Sequence, residues 1–143
     1  MKVFVAGATG AIGRRLVPLL AARGHEVVAM TRRPSRTLRF SGAQTVVADG
    51  LDREALTWAV ARTEPEVIVH QLTALGGVGS YRNWDAAFAQ TNRLRKEGTD
   101  ALLAAARAAG VRRVVAQSFG NWNYAPSGSA IKREDDPFDP SPP

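Results

Sequence analysis

The sequence contains no cysteine, so disulfide frameworks, thiolate nucleophiles and cysteine-ligated metal sites are all excluded. Its two histidines, His25 and His70, do not have metal-ligand spacing, and we predict no metal site. No apolar run is long enough to cross a bilayer, and the chain passes from Met1 and Lys2 directly into its first apolar segment. We therefore expect a cytoplasmic protein without a signal peptide or a membrane partner.

The chain has fewer acidic than basic residues: 13 aspartates and glutamates and 19 lysines and arginines, which give a net charge of +6. Seven arginines and one acid fall between residues 14 and 39. Such a basic segment can indicate a nucleic-acid partner, or it can reflect the base composition of the gene. Because no aromatic side chains interleave with these arginines to stack on bases, we do not expect nucleic acid as the partner.

The chain does have a glycine-rich turn directly after its first apolar run. With 143 residues, 45% of them hydrophobic, it is long enough for one domain with a single core. Residues 3–6 are typical of a buried parallel strand, and Gly7, Gly10 and Gly13 follow before helix-forming residues. This order indicates a diphosphate site at a helix N-terminus, although such a loop can also be a plain turn. The helix after it is predicted from apolar residues at helical spacing, namely Ile12, Leu16, Leu19 and Leu20.

The spacing of these glycines is GxxGxxG, and residues 6–13, AGATGAIG, resemble a known cofactor loop. They are similar to the loop of extended and atypical short-chain dehydrogenases/reductases, the superfamily of NAD-dependent epimerases and dehydratases. The resemblance and the alternation of strands and helices predict a doubly wound parallel α/β sheet, an NAD(P)-binding Rossmann fold of about five strands in the order 3-2-1-4-5. The loop residues expected to bind the dinucleotide are Gly7, Thr9, Gly10, Ala11, Ile12 and Gly13.

The end of the second predicted strand, residues 26–30, bears on the choice of cofactor. In a Rossmann unit an acid at this place binds the ribose 2′-hydroxyl of NAD, whereas an arginine accommodates the 2′-phosphate of NADP. This chain has Arg32 and Arg33 there and no acid. NADP is therefore predicted in preference to NAD, with Arg32 the first candidate and Arg33 the second; the alternative is two solvated arginines on a loop.

Further cofactor contacts are expected after the third and fourth strands, residues 44–48 and 66–70. The resemblance assigns Asp49, with Gly50 and Leu51, to the adenine, while Asp52 is predicted to cap the helix that follows. Gln71, Leu72 and Thr73 resemble the segment that passes the ribose and nicotinamide. We interpret His70 as a buried, hydrogen-bonded histidine rather than a catalyst, and residues 76–80 as a flexible loop near the substrate.

Residues 84–109 predict one long helix, with Trp84, Phe88 and Leu102 on one apolar face. Asn92 and the pair Gly98-Thr99 match an "N…GT" signature of the superfamily, whose asparagine braces the active site. A fifth strand is predicted at residues 111–118. It ends at Ser118, a candidate for the catalytic serine, although the usual one lies two residues further on. The resemblance covers residues 1–125, the predicted dinucleotide-binding domain, and residues 126–143 form a tail rich in Pro, Gly and Asp.

The catalytic pair of the superfamily is absent. Its enzymes need a tyrosine as general acid/base and a lysine four residues later, but Asp85 and Gly128 follow Tyr81 and Tyr124 at that spacing. We interpret the chain as the cofactor-binding part of an epimerase/dehydratase-like oxidoreductase, whose longer parent takes a small-molecule substrate and can form a homodimer. The alternative is a non-catalytic regulatory protein that senses NAD(P).

Overall fold

The computed structural model describes residues 1–33, 42–77, 83–117 and 124–140 of the chain. Five parallel strands form one sheet in the order β3-β2-β1-β4-β5, as predicted. The elements in chain order are β1 Lys2–Ala6, α1 Gly13–Ala22, β2 Glu26–Thr31, β3 Ala43–Val47, α2 Arg53–Thr63, β4 Val67–His70, α3 Trp84–Arg93, α4 Thr99–Ala108 and β5 Arg113–Ala116. No helix in these ranges is long and apolar enough to span a membrane.

The sheet is covered on both faces, and β1 shows how alternate side chains serve the two layers. Phe4 and Ala6 belong to the cluster under α2 and α4, whereas Val3 and Val5 belong to the cluster under α1. Successive residues of a strand point to opposite faces, so an uninterrupted apolar run fits a strand buried on both sides. The carboxyl end of β1 is thereby fixed at the centre of the sheet.

The buried stripe of α1 differs from the predicted one. Val17 is fully buried and Leu16 and Leu20 are half-buried, but Ile12 and Leu19 are 48% and 53% exposed. The helix touches the sheet along a line through Gly13 and Val17, which turns Leu19 toward solvent. Ile12 precedes the helix and faces the cleft described below.

The predicted long helix is interrupted. A π-helix, Leu94–Gly98, separates α3 from α4. A π turn holds more residues than an α turn, so the apolar faces of α3 and α4 do not continue each other. Leu102 is fully buried, whereas Trp84 is 53% exposed and its ring stacks on that of Phe88 at 5.1 Å. The prediction of one shared apolar face was therefore wrong.

Strand boundaries agree with the prediction to within one or two residues. The fifth strand is shorter than predicted, because the N–H of Val111 donates to the carbonyl of Ala106 and closes the end of α4. In residues 124–140 Tyr124 and Phe138 form an antiparallel bridge with their rings stacked at 5.3 Å. The predicted tail thus folds back on itself. Tyr81 and Ser118 lie outside the described residues, as does most of the predicted loop 76–80.

Candidate functional site

A cleft of about 760 Å³ opens at the carboxyl ends of the strands. Its walls come from the glycine loop, the end of β2, the turn after β3, residues 70–76 after β4, the π-helix and the end of β5. The predicted cofactor residues that line it are Gly7, Thr9, Gly10, Ala11, Ile12, Gly13, Arg32, Gly50, Gln71, Leu72 and Thr73. Those that do not are Arg33, Asp49, Leu51 and Asn92.

The glycine loop is folded so tightly that two of its glycines have no room for a side chain. Gly7 has φ +90°, and a Cβ there would lie 2.5 Å from the carbonyl oxygen of Gln71. A Cβ on Gly13 would collide with the carbonyl oxygen of Gly7. The first glycine therefore brings the loop against the end of β4, and the third brings α1 against the loop.

Electrostatics at the start of α1 favour an anion. The first turn of an α-helix leaves backbone N–H groups without intrahelical partners, and its dipole places positive charge there. Ile12 at the N-cap offers no side-chain acceptor, and the first turn contains no acidic residue. Arg14 and Arg15 add positive charge beside it. A diphosphate fits this set of donors, and Gly10 leaves its approach open.

The turn after β2 turns Arg32 toward the cleft. The hydroxyl of Thr31 donates to the carbonyl of Arg33 at 3.0 Å, and the N–H of Arg33 donates back to that hydroxyl at 3.3 Å. These two bonds close the turn around Arg32. Arg32 lines the cleft and Arg33 does not, and the contact of either one with a 2′-phosphate stays a prediction.

Asp49 and Asp52 shape the turn after β3. Asp52 accepts from the N–H of Ala55 at 2.9 Å and caps α2, as predicted. The carboxylate of Asp49 accepts from the N–H of Leu51 at 3.0 Å, and its side chain is exposed outside the cleft lining. Gly50 is the member of this turn that faces the cleft. The adenine contact of Asp49 stays a prediction.

His70 is buried and hydrogen-bonded on both ring nitrogens, which confirms its interpretation. The N–H of Leu72 donates to Nδ1 at 3.2 Å, and Nε2 lies 2.8 Å from the hydroxyl oxygen of Thr99. Because Nδ1 is an acceptor, the neutral ring carries its proton on Nε2 and donates it to Thr99. Burial lowers the pKa of His70 and favours this neutral form.

Sequence reasoning missed several residues of the helical wall. Thr91, rather than its neighbour Asn92, points inward: it is fully buried and accepts from the N–H of Ala74 at 3.1 Å. Leu94, Arg95 and Thr99 line the cleft from the π-helix and α4. The Gly98-Thr99 signature indicated this wall, but no local pattern revealed the π turn that orients it.

The described lining contains neither the tyrosine nor the lysine that the superfamily uses for proton transfer. Lys2 pairs with Glu26 at the opposite edge of the sheet, at 3.0 Å, and Lys132 lies in the C-terminal segment, donating to the carbonyl of Ser127. Ser118 is outside the described residues. No cluster of three metal-ligating residues occurs in the part of the chain that the structure covers.

Comparisons with known proteins agree with this geometry. A family model described as NAD(P)H-binding matches residues 7–138. A "3-diazoavenalumate denitrifying reductase" of a Streptomyces species is 53% identical over 96% of this chain and 44% of its own length. A "UDP-glucose 4-epimerase" of Mycolicibacterium smegmatis is 36% identical over 100% of this chain and 46% of its own length.

Among solved structures, a UDP-glucose 4-epimerase of Thermus thermophilus in complex with NAD superposes with a TM-score of 0.76. It is 26% identical and matches 98% of this chain and 45% of its own chain. The present chain thus spans less than half the length of each of these three proteins.

Proposed function

We propose that this chain, which belongs to the NAD(P)H-binding family, is the NADPH-binding part of an oxidoreductase that reduces a small carbonyl or related substrate. Its resemblance to epimerases and dehydrogenases of the short-chain dehydrogenase/reductase superfamily is confirmed by the relatives and by the fold. The family is therefore a finding, whereas the activity of the longer protein is our proposal.

The observation that carries the proposal is the junction of the glycine loop and α1 at the floor of the cleft. Gly7 and Gly13 leave no room for side chains, so the backbone of the loop and the positive end of α1 form the floor of the cleft. The residues that would hold the diphosphate are those of the loop from Gly7 to Gly13, with residues 71–73 beside the rest of the dinucleotide.

Arg32 supports NADPH rather than NADH as the preferred cofactor. Its turn is closed by Thr31, and its guanidinium is the cation at the end of β2 that lines the cleft. Guanidinium binds phosphate with two parallel charge-assisted hydrogen bonds, which a ribose hydroxyl cannot match. Arg95 adds a second cation to the cleft from the π-helix.

The bound nicotinamide would supply the hydride of the reaction. The chain's own residues bind and orient the dinucleotide and close one side of its site. We place the general acid/base outside this chain, since no tyrosine is followed four residues later by lysine in its sequence. The reductase named among the relatives favours reduction as the activity of the longer protein.

A second candidate function, a non-catalytic NAD(P) sensor, is favoured by one observation. The described lining offers groups that could bind a dinucleotide but no tyrosine or lysine for proton transfer. A tyrosine and lysine four residues apart in the sequence that follows in the gene would favour the enzyme. Their absence there would favour the sensor.

The experiment is a calorimetric titration of the purified chain with NADPH and, separately, with NADH. We expect tighter binding of NADPH, and Arg32→Ala should weaken it by roughly tenfold or more while leaving NADH binding nearly unchanged. Arg23→Ala is the matched control, because Arg23 is an exposed arginine at the other end of α1. No binding of either dinucleotide by the folded chain would contradict the proposal.

A further inference from the structure

Two walls of the cleft are tied together by partly buried hydrogen bonds on both sides of the π-helix. The β4 loop, residues 71–74, forms one wall, and the helical segment from α3 to α4 forms the other. Before the π-helix, Thr91 accepts from the N–H of Ala74. After it, the hydroxyl of Thr99 is hydrogen-bonded to Nε2 of His70, and Nδ1 of the same ring accepts from the N–H of Leu72. The β4 loop is therefore fixed at two backbone N–H groups.

The π-helix is what brings both threonines to the same wall. Thr91 and Thr99 are eight positions apart. In an unbroken α-helix of 3.6 residues per turn, eight residues turn about 80° beyond two full turns, so the second threonine would lie about 80° around the helix from the first. The π-helix Leu94–Gly98 takes up the extra residue, and eight positions then span close to two turns.

The π-helix is also held against the turn after β3. A Cβ on Gly98 would lie 3.0 Å from the carbonyl oxygen of Gly50, and one on Gly50 would lie 2.7 Å from Leu72 and 3.1 Å from Leu94. Three walls of the cleft thus meet at one packed point. Because close-packed groups have little freedom to shift, the register of the π-helix fixes the position of the β4 loop.

We infer that His70, Thr91 and Thr99 are positioning residues for the cofactor: with the π-helix they hold the β4 loop in its binding position, and His70 does so only as the neutral ring. The inference rests on the proposed function, since it assumes that the β4 loop contacts the dinucleotide. The sequence signature includes Thr99 but assigned the role at the site to Asn92, and it includes neither His70 nor Thr91.

Protonation of His70 would disrupt this arrangement. A proton on Nδ1 removes the acceptor for the N–H of Leu72 and sets two donors against each other. The neighbours of His70 in the sheet are Ala6 on β1 and Ala116 on β5, and its partner on α4 is Thr99. Burial disfavours the charged ring, and the charged side chains that line the same cleft are Arg32 and Arg95. Cofactor affinity should therefore fall as the pH falls through the lowered pKa of His70.

The test measures NADPH affinity of the 143-residue chain between pH 5.5 and 8 by calorimetry, for the wild type and three variants. At pH 7.5 we expect Thr99→Val and Thr91→Val each to weaken NADPH binding by roughly tenfold, because each leaves a buried partner unsatisfied. His70→Asn keeps an acceptor near Leu72 but cannot reach Thr99. It should bind more weakly than the wild type and lose the decline of affinity at low pH.

Matched controls separate this positioning from general effects. Thr57→Val removes an exposed threonine hydroxyl on α2, and His25→Gln removes the other histidine. Neither should change the affinity or its pH profile. Long-range ¹⁵N NMR of the His70 ring, assigned with the His25→Gln variant, should show the proton on Nε2 at neutral pH.

The outcomes distinguish the inference from the function on which it rests. If the wild type binds NADPH but the three variants bind equally well with the same pH profile, the positioning role is wrong and the proposed function stands. Affinity that declines at low pH in the wild type and in His70→Asn alike also overturns the role of His70. If the folded wild type binds no dinucleotide at any pH, both are overturned.

Discussion

Gly7 directly follows β1 and Gln71 directly follows β4, yet the backbone of Gln71 leaves no space for a side chain on Gly7. A Cβ on Gly7 would lie 2.5 Å from the carbonyl oxygen of Gln71, and the N–H of Gln71 donates to the carbonyl of Ala6 at 2.8 Å. The glycine loop and the end of β4 are thus one packed unit. The floor of the cleft depends on this contact.

We predict that Gly7→Ala lowers the free energy of unfolding by about 2–4 kcal/mol, because it adds both backbone strain at φ +90° and a clash with Gln71. Denaturant unfolding measures the loss. Gly24→Ala is the control, since Gly24 has φ +78° with nothing within 4 Å of its Cβ position, and only strain of about 1 kcal/mol applies. Equal losses for both variants would show that the contact with Gln71 is unimportant.

The sequence predicted the sheet well for a physical reason. Its strands are short β-branched runs bounded by glycine, proline or acids, and these signals are local, so β1 to β5 were located to within about two residues. The spacing of Gly7, Gly10 and Gly13 likewise indicated the tight loop that they form. Asp52 at the N-cap of α2 follows the same local rule.

The helical wall of the cleft could not be predicted in this way. Thr91 is hydrogen-bonded to the loop after β4, and Thr99 is hydrogen-bonded to the last residue of β4. The π-helix that orients them, Leu94–Gly98, has an ordinary helix-forming sequence. Periodicity assumes 3.6 residues per turn throughout, so one π turn was enough to give α3 the wrong apolar face. Asn92 was chosen for a different reason, its match to the superfamily signature, in which the buried Thr91 has no place, and its role at the site stays a prediction.

Capping of α2 gives a second prediction. Asp52→Ala should lower the free energy of unfolding by about 1 kcal/mol, because the N–H of Ala55 loses its acceptor. Asp52→Asn should cost much less, since asparagine caps helices about as well as aspartate. Thermal and urea unfolding compare the two. An equal loss in Asn and Ala variants would mean that the charge of Asp52, rather than its cap, is what stabilises the chain.

The histidines give a prediction for stability against pH. Burial lowers the pKa of His70 in the folded chain, while an unfolded histidine titrates near pH 6.5. Below about pH 6.5 the unfolded chain therefore binds a proton that the folded chain does not, and stability falls as the pH falls toward the lowered pKa of His70.

Urea unfolding at pH 7.5, 6.5 and 5.5 tests this sign. The wild type should lose stability on acidification, and His70→Asn should lose less over the same range, whatever its stability at pH 7.5. His25→Gln should follow the wild type. A wild type that gains stability between pH 6.5 and 5.5 would contradict the account of His70.

The predicted domain boundary can be tested by shortening the chain. Residues 124–140 close on themselves through the bond from the N–H of Ala125 to the carbonyl of Pro137 and the stacking of Tyr124 on Phe138. A chain of residues 1–125 should therefore fold and bind NADPH within about twofold of the affinity of the full chain. Loss of folding or of binding would place the C-terminal segment within the domain.

The most direct test of the central claim, that the cleft at the carboxyl ends of the strands is a dinucleotide site, is a titration of the ¹⁵N-labelled chain with NADPH followed by NMR. We predict that the amide signals which shift are those of Gly7, of residues 9–13, of Arg32, of Gly50 and of residues 70–75, all on the cleft lining. Shifts confined to other surfaces, such as residues 124–140, or no shifts in a folded chain at saturating NADPH, would contradict it.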